Sequence, residues 1–522
     1  MELHTELVRA LTRVVVSSLL ALALACSSSD SSGGSPSAGG SAGTSATGGG
    51  GGTTSGDGGA TSGTGGATSG NGGATSGNGG ATSGNGGAAS GAGGTASPGG
   101  SFKLDLSLST AIATVGIVTW SLDAAVDSAF VEFGRDPSAF ELKATIDVAE
   151  PMHRSLLLGM KPNTTYSVRV TASGGGQTYV SEVASIMSGF LPNGLPVQTV
   201  TDHDASALYA GGAFTVACTG FDAFGTGSSN PSWAFIFDKD GDPVWSYDLS
   251  KTSAASCTRA RMSYDGKYLW AGNFSNTTAD GALTRVTMDG LSTPENFSLP
   301  GRSHDFAILP NDHIAYFARN DGGASMSPES IRELDPATSA TTLIYDELTD
   351  FEALIRTRGG HTNQVNYVPE LKALSFSMYF ADTVALVSYP EGQLLAAFGG
   401  ENTTFSSMSW SGQHGHDVRA DHFDVFNNNG TNGGASVLRF QYDLASKTAT
   451  AQSDYSSGVD SPAFGDVKEQ PNGNYFVTYS TSSVMHELDP SLKLLREVET
   501  NVLIGYTEHR ATLYGKPPPY DR

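Results

Sequence analysis

From residue 200 to the C-terminus the sequence repeats a two-part unit, and a chain made of such units has few ways to hide its apolar faces. The first part is a hairpin with an Asp, Gly or Pro turn. It occurs at Trp233 to Trp245 around Asp238-Lys239-Asp240-Gly241-Asp242, at Ile331 to Thr338 around Asp335-Pro336, and at Val384 to Leu394 around Pro390 and Gly392. Leu438 to Leu444 and Met485 to Ser491 fit the same pattern. The second part is a polar start, a Pro/Asn/Gly turn and an apolar strand, as in His304 to Phe317, Gly465 to Val477 and Met262 to Trp270. Alternation of apolar and polar residues without a helical period marks strands. About six units recur at roughly 50-residue spacing, the scale of one propeller blade. Each blade hides its faces only against its neighbours, so a closed ring is the natural solution. The expected architecture is all-β: a six-bladed β-propeller over 200–518, in which 206–218 and 506–514 close the ring together. A large double sandwich would explain the alternation but not the repeat.

Ahead of the repeat, residues 101–192 show short alternating runs such as Ala129 to Phe133 and Tyr166 to Thr171. They read as a small β-sandwich with Trp120 in its core. Leu158 to Tyr166, with Pro162 between them, resembles the tyrosine corner of fibronectin type III domains, in which a Tyr hydroxyl bonds back to nearby backbone. Residues 27–100 contain no aromatic and only two charges, Asp30 and Asp57. Such a Gly/Ser/Thr chain buries too little apolar surface to fold, and is expected to be a disordered tether reaching roughly 45–50 Å.

Residues 1–26 read as an export signal. Arg9 and Arg13 precede an apolar run, Val14 to Ala25, too short to span a bilayer. Leu22-Ala23-Leu24-Ala25-Cys26 resembles the lipobox of bacterial lipoproteins, with Ala23 where the pattern prefers Leu. The resemblance implies lipidation at Cys26 and a lipoprotein in the cell envelope, anchored to the outer membrane through its N-terminal lipid, with its head in the periplasm or at the cell surface. The alternative is an ordinary cleaved signal with a chance Cys. The other two cysteines, Cys218 and Cys257, either pair in a disulfide or stand as buried thiols. A net charge of −23 argues against a nucleic-acid partner and against docking on anionic lipid.

The histidines carry the functional signal. His304, His361 and His416 each begin a second-part unit, so a ring would bring three distant imidazoles to one central cavity. Around them the sequence resembles the bacterial aryl-sulfate sulfotransferase (arylsulfotransferase) family. The resemblance lies in His361-Thr362-Asn363, Gly399 to Phe405, Gln413-His414-Gly415-His416-Asp417-Val418-Arg419, Phe426 to Gly430, Ser436 to Asp443 and His509 to Tyr514. It implies a nucleotide-independent enzyme, without cofactor or metal, that moves a sulfuryl group from an aryl sulfate donor to a phenolic acceptor. A neutral imidazole suits that task, being nucleophilic near pH 7 and a ready leaving group.

Carried over by resemblance, His304 and His361 bind sulfuryl oxygens and His416 is the nucleophile, since His416-Asp417-Val418-Arg419 continues the family motif. His414 is the competing choice, because Gln413 is its neighbour and Gly415 blurs the register. Asn363, Tyr379, Arg419, His414 and Arg510 are the expected substrate-binding residues. The sequence departs from the family at Ser377-Met378-Tyr379, where the family has a Ser-Arg pair; Arg419, Arg319 or Arg510 would have to replace that charge in space. A zinc site built from His414, His416 and His361 is a further alternative. A non-catalytic surface propeller that binds a ligand or protein is the rival function. Asp238-Lys239-Asp240-Gly241-Asp242 reads as a turn, because Leu249 stands where a calcium loop needs Glu. His153, His203, His313, His422 and His486 are expected at the surface.

Overall fold

The computed structural model describes residues 101–515, apart from 147, 150–152, 212, 221–231, 274–280, 321–326, 402, 406–407 and 431–433. The export signal, Cys26 and the tether lie outside the described residues. The chain divides into Met1–Gly86 and Gly87–Arg522, and every described residue belongs to the second unit. It is nearly all-β, with one α-helix, α1 (Leu348–Arg358), among the described residues. No helix there is long and apolar enough to cross a membrane.

The N-terminal part consists of two facing antiparallel sheets. One pairs Phe102–Leu108, Gly116–Leu122 and His153–Leu157; the other is built on Ser128–Gly134 and Thr165–Gly174. Trp120, Phe133 and Tyr166 are buried between them. The Tyr166 hydroxyl accepts a hydrogen bond from Lys161 N at 2.9 Å. His153 is buried rather than exposed, its ring 4.3 Å from that of Trp120, because its strand position faces the core.

The remainder, among the described residues, forms six antiparallel sheets, here I to VI, each built on four strands that pair side by side. Their first strands are Glu508–Arg510 (I), Cys257–Met262 (II), Arg302–Ile308 (III), Thr362–Val368 (IV), Gln413–Val418 (V) and Asp466–Glu469 (VI). In sheets II to V the four strands follow in chain order. Sheet I instead joins both ends of the segment: Phe214–Cys218 pairs antiparallel with Glu508–Arg510. Sheet VI gains a fifth strand, Gln198–Asp202. Apolar clusters lie between successive sheets, for example Phe317, Ile331, Leu374 and Phe376 between III and IV. Each sheet is therefore buried on both faces, which explains its near-continuous Val, Ile, Ala and Phe content.

Cys218 and Cys257 form a disulfide with Cα atoms 5.9 Å apart, linking sheets I and II. The sandwich seats on the same region. Tyr514 Oη accepts from Leu158 N and donates to Leu156 O, both at 2.7 Å. The Asp238 turn receives Lys161 Nζ at 3.0, 2.8 and 2.6 Å from Asp238, Asp240 and Asp242.

Candidate functional site

The first strands of sheets II to V share an irregularity. Each carries a register shift at its start: between Cys257 and Arg259, Arg302 and Phe306, Thr362 and Val365, and Gln413 and His416. Such bulges insert extra residues and re-aim side chains. The starts are polar and buried at once: Ser303-His304-Asp305, Thr362-Asn363-Gln364 and Gln413-His414. A strand start that buries this much polarity needs partners for it, and those partners build the site.

Three imidazoles meet there. The rings of His304 and His361 contact edge-on, centroids 4.5 Å apart. Tyr379 lies between His361 and His414, at 5.5 and 5.3 Å. Phe464 touches His304 and His414, each at 5.8 Å, and Phe380 lies 5.5 Å from His361. His304 and His414 are buried, whereas His361, Tyr379 and Phe380 are half-buried and carry the cluster to the surface. Two of these residues sit in left-handed backbone, His361 at φ 94° and Phe464 at φ 56°. Non-glycine residues rarely hold such angles unless the surroundings enforce them. For His361 part of that enforcement is visible: its carbonyl accepts from Tyr379 N at 2.8 Å.

The tautomer of His414 follows from its neighbour. Asn428 Nδ2 donates to Ser461 O at 2.6 Å and to Phe464 O at 2.7 Å. Its Oδ1 is thereby left as an acceptor, and His414 Nδ1 lies 2.8 Å from it. His414 Nδ1 therefore carries the proton and Nε2 keeps its lone pair. Burial pushes His414 down to about 3, with the Asn428 bond opposing. Burial also holds His304 well below the ordinary histidine value, helped by His361, His414, Arg319 and Arg302. Both imidazoles are neutral at pH 7, with the charges of Arg319 and Arg302 acting on His304.

The sequence-predicted residues divide. His304, His361, His414 and Tyr379 come together. His416 does not join them. Its Nε2 meets Ser375 Oγ at 2.9 Å, it is fully buried, and burial with Lys468 nearby pushes it down to about 3. The bulge between Gln413 and His416 is the reason, since it breaks the alternation that would put 414 and 416 on one face. Asn363 is a tie between strand starts: its Nδ2 donates to Gln413 O at 3.0 Å and its carbonyl accepts from Tyr506 Oη at 3.2 Å. Arg419 is held by Asp417 and Glu469 O, and Arg510 by Glu508, Thr512 O and Gly515 O. Arg319, together with Arg302, is a guanidinium whose charge acts on His304. Sequence reasoning missed Phe464 and the role of Asn428, although Asn428 lies inside the noted Phe426 to Gly430 motif.

One or two residues further along the same strands lies a buried ionic network. Arg259 bonds Asp305 at 2.9 Å, Asp466 at 3.0 Å and Thr507 O at 2.8 Å. Gln364 Nε2 donates to Asp466 at 2.7 Å, and Lys468 Nζ donates to His416 O at 2.8 Å. The network ties together strands of sheets II to VI and the residue preceding the first strand of sheet I. His416 belongs to this layer.

Among the described residues, two groups converge closely enough to hold a cation: Asp238, Asp240 and Asp242, and His422, Asp424 and Glu469. Each already faces a protein cation. Lys161 sits among the first, and Arg439 bonds Asp424 at 2.9 Å and lies 3.2 Å from Glu469 in the second. His486, expected at the surface, is buried, with Nε2 3.1 Å from Glu497.

No family model matches the chain, and no curated protein matches it. Among solved structures it is similar to a streptogramin B lyase, at 11% identity and TM-score 0.36, over 57% of this chain and 87% of the other. A catalytically inactive virginiamycin B lyase from Staphylococcus aureus with quinupristin gives 13% identity and TM-score 0.36 over 57% and 87%. Apo AztD from Citrobacter koseri gives 12% and 0.27 over 73% and 98%. At these scores the likeness bears no functional weight.

Proposed function

We propose that the protein is an exported, lipid-anchored aryl-sulfate sulfotransferase, a six-bladed propeller preceded by a fibronectin type III-like sandwich, with His414 as its nucleophile. The observation that carries this reading is the meeting of His304 of sheet III, His414 of sheet V and His361, the residue before the first strand of sheet IV, in one aromatic cluster. Within it His414 presents an unprotonated Nε2, fixed by Asn428. The same geometry supports His414 rather than His416 for that role.

In the proposed sequence, His414 Nε2 attacks the sulfur of an aryl sulfate. The N–S bond forms as the S–O bond to the aryl group breaks, and the phenolate leaves and takes up a proton. A phenolic acceptor then attacks sulfur, loses its proton and returns the imidazole. His304 and His361 hold the sulfuryl oxygens, and Arg319 supplies the positive charge that Tyr379 lacks. Tyr379, Phe380 and Phe464 offer faces for the aryl ring.

The test is release of nitrophenol from 4-nitrophenyl sulfate by the purified protein in the presence of a phenol. Acceptor-dependent release is expected. Its absence with every phenol tried refutes the enzyme and favours the rival, a surface propeller that only binds.

A further inference from the structure

Beside the starts of the strands that carry His304 and His361 lies a pair of buried carboxylates, Glu329 and Glu347, 0% and 1% exposed. Glu329 opens the third strand of sheet III, directly across from Arg319 on the second. Its Oε1 lies 3.6 Å from Arg319 Nε. Its other oxygen, Oε2, accepts two bonds: from Ser303 Oγ at 3.0 Å and from Thr362 N at 3.2 Å. Ser303 is the chain neighbour of His304, and Thr362 that of His361. One carboxylate oxygen thus spans two sheets and grips the residue beside each histidine. Glu347, at the start of α1, braces it: Glu347 Oε2 accepts from Glu329 N at 3.0 Å, and its Oε1 accepts from Thr362 Oγ1.

Burying two carboxylates together is costly, and an apolar core would fold without them. Burial pushes Glu329 up to about 7, with Arg319 opposing; burial and the Glu329 charge push Glu347 up to about 8. The arrangement is worth its cost if it holds something the backbone would not hold alone. The backbone at hand is His361, at φ 94°.

We propose that Glu329, braced by Glu347, is the positioning residue of the histidine site, fixing the left-handed turn at His361 and the Ser303 hydroxyl so that the two rings meet edge-on. Its kinetic consequence rests on the sulfuryl-transfer reading; its structural consequence does not. In Glu329→Gln the Arg319 partner and one charged acceptor are lost. For an active enzyme, kcat is expected to fall about 100-fold with KM little changed, the cost of a small misplacement of catalytic groups. In crystal structures of the full chain, the variant is expected to lose the edge-on His304–His361 contact or the left-handed His361 backbone. Retention of both, or an unchanged kcat, overturns the proposal. Should the wild type release no nitrophenol, the enzyme reading falls and the crystal structures alone decide the positioning role. Should Glu329→Gln not fold, Ser303→Ala decides in the same way: a displaced His304 ring supports the proposal and an unmoved one refutes it.

Discussion

His414 and His416 stand two residues apart, and in a regular strand they would share a face. The bulge after Gln413 separates them, sending His414 to the aromatic cluster and His416 to Ser375 and the ionic layer. His414→Ala is therefore expected to lower nitrophenol release at least about 1,000-fold, as loss of a nucleophile does. His416→Ala is expected to lower stability by about 1–3 kcal/mol while leaving the chemistry largely in place. Equal losses of activity in both variants would contradict this division. Burial also makes these histidines acid-sensitive. His414, His416 and His509 are each pushed down to about 3 from an unfolded value near 6.5. Between those values the unfolded chain binds protons that the native chain refuses, so stability falls as pH drops from about 6.5 toward 3. Glu329 and Glu347, raised to about 7 and 8, act oppositely: their contribution fades as pH climbs from about 4.5 through 8. Thermal melting across pH should therefore show a steep acid limb, less steep in His416→Gln; an identical limb in the variant would contradict the assignment. His304 and His361 were legible from sequence because they open repeat units. Arg319 was legible only as one candidate among three, since the fold that brings its charge to bear on His304 is not written locally.

Strand existence was readable from alternation and turn residues, and the hairpins around Asp335, Pro390 and Asp489 fall where those residues are. What alternation hides is phase at the strand starts. Sheets II to V all begin with a shift, and the side chains that matter lie within it or beside it. Glycines show how tightly those starts are packed. Gly412 has φ 64°, and a Cβ there would stand 2.4 Å from Asn429 Nδ2 and 3.2 Å from Tyr379 Oη. Gly412→Ala is expected to destabilise the protein by about 1–3 kcal/mol. It should also raise KM by displacing Tyr379 from between His361 and His414. A wild-type melting temperature in this variant would show that the site's edge is looser than described. Gly415, the residue that obscured the register in the sequence, has a reason of its own: a Cβ there would meet Asp466 Cα at 2.5 Å. Its absence of a side chain lets sheets V and VI approach.

At the scale of the whole molecule, no single element holds the site; the histidines come from the starts of sheets III and V and the residue before sheet IV, and what locks the sheets together sets how well they meet. Sheet I takes strands from both ends of its segment, the ionic layer around Arg259 ties the first strands, and the Cys218–Cys257 disulfide joins sheets I and II. The repeat made the first of these legible. The second was not, because its members are scattered between Arg259 and Thr507 and only the packing of the sheets brings them together. Replacing both cysteines by Ser is expected to lower stability by about 3–4 kcal/mol, the entropy of a loop whose ends are 39 positions apart in sequence. A change under about 1 kcal/mol would show that the sheets are held by packing alone. The central claim is that His414 becomes covalently sulfonated. It is tested most directly by exposing the protein to 4-nitrophenyl sulfate without acceptor, then locating the adduct by intact mass and peptide mapping. A single sulfonate on His414, absent from His414→Ala and discharged by added phenol, is the predicted result. An unmodified protein that still turns over, or an adduct mapped to His416, would contradict it.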